Sequence, residues 1–122
     1  MTSCVYSGTV IHGLHNGESL GFPTANVQLP DDVHITKGVY AVWVYIDGKR
    51  HEGMLYVGTR PTLSLNELTY EINIFDFSEN LYGKELAFVI VKQLRSEQVF
   101  ESWEALSTQL AEDREAAREA LK

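Results

Sequence analysis

The chain has 122 residues, 44% hydrophobic and 22% charged, which is one domain's worth of protein with enough apolar chain to build a core without disulfide or metal staples. Ten Lys and Arg against 17 Asp and Glu leave a formal net charge of −7, which argues against the clustered basic residues of a nucleic-acid binder and against a basic membrane-surface patch. Cys4 is the only cysteine, so no internal disulfide can form, and without a signal peptide or an apolar run near membrane length the expectation is a cytoplasmic protein with no nucleic-acid or membrane partner.

Val5 to Ile11 (VYSGTVI) is the first predicted strand, with Val5, Ser7, Thr9 and Ile11 on one face. A glycine-containing polar loop, His12 to Ser19, leads into the extended stretch Leu20 to Leu29. Asp31, Asp32 and Gly38 punctuate the next segment. Val39 to Ile46 (VYAVWVYI) is almost continuously β-branched or aromatic, as in a strand buried on much of both faces. Asp47-Gly48 is the strongest hairpin signal in the chain and precedes a strand from about His51 to Val57.

Another strand is expected over Leu68 to Phe75, where Tyr70, Ile72 and Ile74 alternate with Glu71 and Asn73. The turn Ser78 to Gly83 feeds a last strand, Glu85 to Leu94. Six short strands joined by turns predict an antiparallel sandwich or a closed barrel. From Ser102, an N-cap candidate, the period becomes helical, and Trp103, Leu106, Leu110, Ala117 and Leu121 fall on one stripe. Glu67 to Lys122 carries 6 basic and 12 acidic residues, which predicts a packed helix with a solvated acidic face.

The least ordinary segment is Leu20-Gly21-Phe22-Pro23-Thr24-Ala25-Asn26. In extended chain Thr24 and Asn26 point the same way, so a hydroxyl and an amide oxygen stand side by side. Two hard neutral oxygens suit Mg²⁺, which completes its shell with water and phosphate. The same pattern fits a turn entering a strand, with both side chains capping backbone groups. Gly8, Gly13, Gly17 and Gly21 surround a polar loop whose amides could approach phosphate, although surface hairpins also collect glycine and no G-x-x-x-x-G-K-[ST] loop occurs. Glu71 is a candidate general base if its face meets a cavity, and an ordinary strand carboxylate if it meets water. Arg95 could hold an anion or a carbonyl and Phe100 could cover an aromatic ring; equally, Arg95 could pair with a carboxylate while Phe100 plugs the core. The four histidines and Cys4 form no recognisable metal or nucleophile set.

Taken in order, Gly13, Leu20 to Asn26, Gly38-Val39-Tyr40, Gly58-Thr59-Arg60-Pro61-Thr62, Glu71, Leu81-Tyr82-Gly83, Leu94-Arg95-Ser96-Glu97 and Phe100-Glu101-Ser102 resemble the riboflavin kinase family over Val5 to Leu121. The resemblance implies one domain over 1–122, mainly β: a six-stranded antiparallel Greek-key barrel with a C-terminal helix packed outside. It implies transfer of the ATP γ-phosphate to the ribityl 5′-hydroxyl of riboflavin, giving FMN and ADP. By position, Thr24 and Asn26 match the residues that hold Mg²⁺ (Zn²⁺ or Mn²⁺ being alternatives), and Thr24 also contacts ATP. Glu71 matches the carboxylate that activates the hydroxyl. Gly13 matches a phosphate-loop position, Ile74 and Tyr82 line the adenine side, and Arg95, Gln98 and Phe100 match the segment closing over the flavin. The partners expected are riboflavin, FMN, ATP and ADP, with the chain a monomer.

Three positions depart from the pattern. Glu18 replaces a common Arg or Lys, Asn73 stands where His is frequent, and Gln98 where Lys can occur. Glu18 would place an acid beside the nucleotide phosphates, which motivates an alternative: a non-catalytic flavin-binding or regulatory module with a weakened phosphate loop. A barrel that serves only as an interaction domain is a third reading. The length leaves no room for an adenylyltransferase domain, so the chain is expected to be a stand-alone kinase or the excised module of a bifunctional enzyme.

Overall fold

The computed structural model describes residues 5–11, 25–61, 66–77, 81, 83–98 and 100–122. Six strands, β1 (Val5–Ile11), β2 (Ala25–Gln28), β3 (Gly38–Ile46), β4 (Lys49–Pro61), β5 (Asn66–Ile74) and β6 (Glu85–Ser96), are followed by one helix, α1 (Trp103–Ala120). They close into an antiparallel barrel in the order β1-β2-β5-β4-β3-β6, with β6 returning to β1. β3, β4 and β5 form a meander and β6 lies beside β3, which is the Greek-key arrangement. Among the described residues each strand therefore has a neighbour on both sides.

Inward positions are set by strand alternation. Val27 of β2, Tyr40, Val42, Val44 and Ile46 of β3, Leu55 and Val57 of β4, Tyr70, Ile72 and Ile74 of β5, and Leu86 and Phe88 of β6 make one buried cluster. The two interior tyrosines keep their hydroxyls paired: Tyr40 donates to the Thr36 carbonyl and Tyr70 to that of Val33, at 3.1 Å for the latter. Both contacts tie the segment between β2 and β3 to the barrel. The β3–β4 hairpin turns on Asp47 and Gly48 at φ 50° and 79°, the pair of positive angles a two-residue turn of this hand requires.

Most strands run longer than the sequence predicts. β4 begins at Lys49 and continues to Pro61, and β6 extends to Ser96. In β6 the extra length accommodates two register shifts, between Val39 and Tyr40 and between Ala41 and Val42 of its partner. Val91 and Leu94 are the extra residues, and as a result Arg95 rather than Gln93 stands opposite Val39.

Helix α1 starts where expected, with Ser102 Oγ accepting from the Ala105 amide at 3.1 Å. It packs on the outer surface of the barrel. Ala117 and Leu121, with partly buried Leu110 and Ala120, meet Val39, Ala41, Met54 and Phe75 in a second cluster. The Trp103 side chain of the predicted stripe lies outside the described residues. The acidic face is not wholly solvated, because Asp113 points inward and is 3% exposed. Its position follows from helical geometry: it lies three residues after Leu110 and four before Ala117, on the buried stripe.

Candidate active site

β2 is only four residues long, yet it places the central pair of the site. Asn26 stands opposite Ile11 of β1 on one side and opposite Glu71 of β5 on the other. Glu71 in turn faces Tyr56 of β4, Tyr56 faces Val39 of β3, and Val39 faces Arg95 of β6. Directly opposed residues in antiparallel strands project from the same face, with Cα atoms about 4.5–5.5 Å apart. Because Val27, Ile72, Leu55 and Tyr40 point inward, the row Asn26, Glu71, Tyr56, Val39, Arg95 crosses the outer face of the barrel.

Asn26 is buried, 7% exposed, and its Nδ2 has no hydrogen-bond partner among the described residues. That N–H group, buried beside a carboxylate, calls for an acceptor from a ligand or a neighbouring loop. Both side chains offer hard oxygens, so the donor set fits Mg²⁺ that retains water and phosphate ligands. Among the described residues no cluster of three or more His, Cys, Asp or Glu could hold a metal ion by itself.

The other end of the row is built around Arg95. Its Nε and Nη2 donate to both carboxylate oxygens of Asp113, the Nη2 contact being 2.8 Å, and Gln109 adds a further bond to Asp113 at 3.0 Å. Arg95 Nη1 donates to the Ser96 carbonyl. The guanidinium also lies 5.5 Å from the centre of the Phe100 ring. Arg95 is therefore paired with a carboxylate of the helix, while Phe100 is half-buried and belongs to neither core cluster. Between Arg95 and Glu71, the Tyr56 ring and the Glu97 carboxylate both approach Gly58. Burial pushes the Tyr56 hydroxyl above its ordinary pKa; the Glu97 and Glu71 charges add to the effect and Arg95 opposes it. Gly58 makes this approach possible, since a Cβ there would come within 2.7 Å of the Tyr56 ring and 3.0 Å of Glu97 Oε2.

Of the predicted site residues, the structure brings Asn26 and Glu71 together and places Arg95 and Phe100 in contact at the far end of the same face. Gln98 is exposed in the segment between β6 and α1. Ile74 points the other way: it is part of the interior cluster and 7% exposed, so it does not share a face with Glu71. Asn73 is on the Glu71 side but buried opposite Met54. Gly13, Thr24, Tyr82 and Glu18 lie outside the described residues. Tyr56 and Asp113 were not candidates by sequence. An acid on the apolar stripe of α1 was a signal for Asp113, whereas Tyr56 becomes visible only once the β4–β5 register is known.

A family model described as Flavokinase: Riboflavin kinase matches residues 2–121. The chain is 42% identical over 114 residues to the bifunctional riboflavin kinase/FMN adenylyltransferase of Escherichia coli (strain K12), covering 93% of this chain and 36% of that protein. Among solved structures, one titled macrolide-efflux protein from Streptococcus pneumoniae superposes with a TM-score of 0.86 at 35% identity, covering 93% of this chain and 38% of that one. A riboflavin kinase from Trypanosoma brucei superposes with a TM-score of 0.67 at 26% identity, covering 96% and 78%. The chain thus spans little more than a third of the length of the curated bifunctional relative.

Proposed function

Since the chain belongs to the riboflavin kinase family, we propose that it transfers the γ-phosphate of ATP to the ribityl 5′-hydroxyl of riboflavin, forming FMN and ADP. The observation that carries this reading is the direct opposition of Asn26 and Glu71 on the outer face of β2 and β5. Phosphoryl transfer asks a protein chiefly for alignment and charge neutralisation. Glu71 accepts the proton of the attacking hydroxyl as its oxygen bonds to the γ-phosphorus and the bond to the β,γ-bridging oxygen breaks. Asn26, together with Thr24 two residues earlier, would hold Mg²⁺, which supplies neutralisation of the phosphate charge. Arg95 acts through Asp113 and Phe100, holding the segment that covers the flavin.

On this reading residues 1–122 form one kinase domain, Mg-ATP is the co-substrate, and the chain acts as a cytoplasmic monomer. An overall charge of −7 does not oppose it. A mononucleotide needs only local positive charge, which a divalent cation and a few backbone amides can provide. Purified protein incubated with riboflavin and Mg-ATP should yield FMN, separable by chromatography, and a chelator should stop the reaction. Folded protein that makes no FMN overturns the proposal.

A further inference from the structure

The kinase reading assigns no role to the pair formed by Tyr56 and Glu97. Tyr56 is the residue directly across from Glu71, and a carboxylate arriving from the end of β6, that of Glu97, lies with the Tyr56 ring beside Gly58. That carboxylate is borne by a braced segment: Arg95, two residues earlier, is locked to Asp113, and Phe100, three residues later, lies against the same guanidinium. Gly58 leaves the space in which the ring and the carboxylate lie. The result is a half-buried tyrosine, whose hydroxyl both donates and accepts, near an exposed carboxylate, which accepts. Such a pair complements a chain of neutral hydroxyl groups. It does not complement the triphosphate, because Glu71 and Glu97 would both repel it.

We infer that Tyr56 and Glu97 bind the polyhydroxyl chain of the acceptor substrate and set its reach, so that its terminal hydroxyl arrives at Glu71. This inference rests on the kinase reading and makes Tyr56 a specificity-determining residue for that reaction. The recognised class is a polyol carried on a planar aromatic ring; a flat ring lacking the polyol gains nothing from the pair.

The test compares riboflavin with lumiflavin, which has the same ring system and no polyol chain, through quenching of flavin fluorescence. Tyr56→Phe keeps the ring and removes the hydroxyl. It should weaken riboflavin binding about tenfold and leave lumiflavin binding unchanged. Glu97→Gln should act in the same direction, and in both variants the KM for riboflavin should rise while that for ATP stays constant. Unaltered lumiflavin binding also reports an intact fold. If wild-type protein forms FMN but both variants keep the riboflavin-to-lumiflavin ratio, or lose both ligands equally, this inference fails and the kinase reading stands. Wild-type protein that forms no FMN overturns both.

Discussion

The two faces of the same barrel strands differ in what they contain. Along β5, Tyr70, Ile72 and Ile74 point inward and are buried among side chains from all the other strands, whereas Glu71 and Asn73 point outward. Leu55, Val57, Val42, Val44 and Phe88 in the interior are inaccessible to solvent. Among the described residues, these side chains fill the interior of the barrel. The outer face is divided instead. Helix α1 covers part of β3, β4 and β6, and the β2–β5 ladder carries Asn26 and Glu71. Tyr56 and Arg95 mark the border between the covered part and the chemical part. The contrast teaches that stability and chemistry are separated by strand parity, so neighbouring residues should respond to mutation in unlike ways.

The largest effect expected from breaking that separation is on turnover. Glu71→Gln should lower FMN formation by about 10²–10⁴-fold, the range for loss of a general base, with a thermal midpoint close to that of the wild type. A large fall in stability instead would mean the outer face is as structural as the inner one. Leu55→Ala, on the next strand but facing inward, should cost about 2–5 kcal/mol of unfolding free energy by denaturant titration. Its kcat per folded molecule should be little changed.

Asp113→Ala tests the border. It leaves Arg95 partly buried and without its carboxylate, at a cost of about 3 kcal/mol, and it frees the Phe100 contact, so riboflavin KM should rise together with the loss of stability. Arg95→Met with Asp113→Leu should recover more of the stability than of the KM. Asp76→Asn, at the far end of the helix interface, should have the smallest effect. Asp76 is held below its ordinary 3.8 by hydrogen bonding and charge from Arg118, with Arg114 adding to it. A lowered folded-state pKa stabilises above 3.8 and that contribution is lost as pH falls through the folded value. The variant should therefore melt slightly below the wild type at neutral pH, converge with it in acid or in high salt, and retain full activity.

Much of the fold was legible because its signals are local. Alternation of apolar residues identified the strands, Asp47-Gly48 announced its turn through the positive φ angles both residues accept, and Ser102 capped α1 as the change of period implied. Asn26 and Glu71 were legible as residue types in an ordered set of motifs. Their pairing was not, since 45 positions separate them and only the β2–β5 register brings them together. Arg95 shows the limit in another way. Its surroundings depend on Asp113, 18 residues further on, and on two extra residues in β6 that bring Arg95 opposite Val39.

By itself, then, the sequence determined the strand content, the position of the helix, the family resemblance and the chemical types available for phosphoryl transfer. These rest on periodicity and on side-chain chemistry, which act over a few residues. Only the tertiary structure decided that the barrel closes, that Ile74 faces away from Glu71, and that Tyr56 lies between the candidate base and the Arg95–Asp113 pair. Those outcomes depend on strand register, which is settled by packing the whole interior at once. A single-residue slip would turn every side chain to the opposite face.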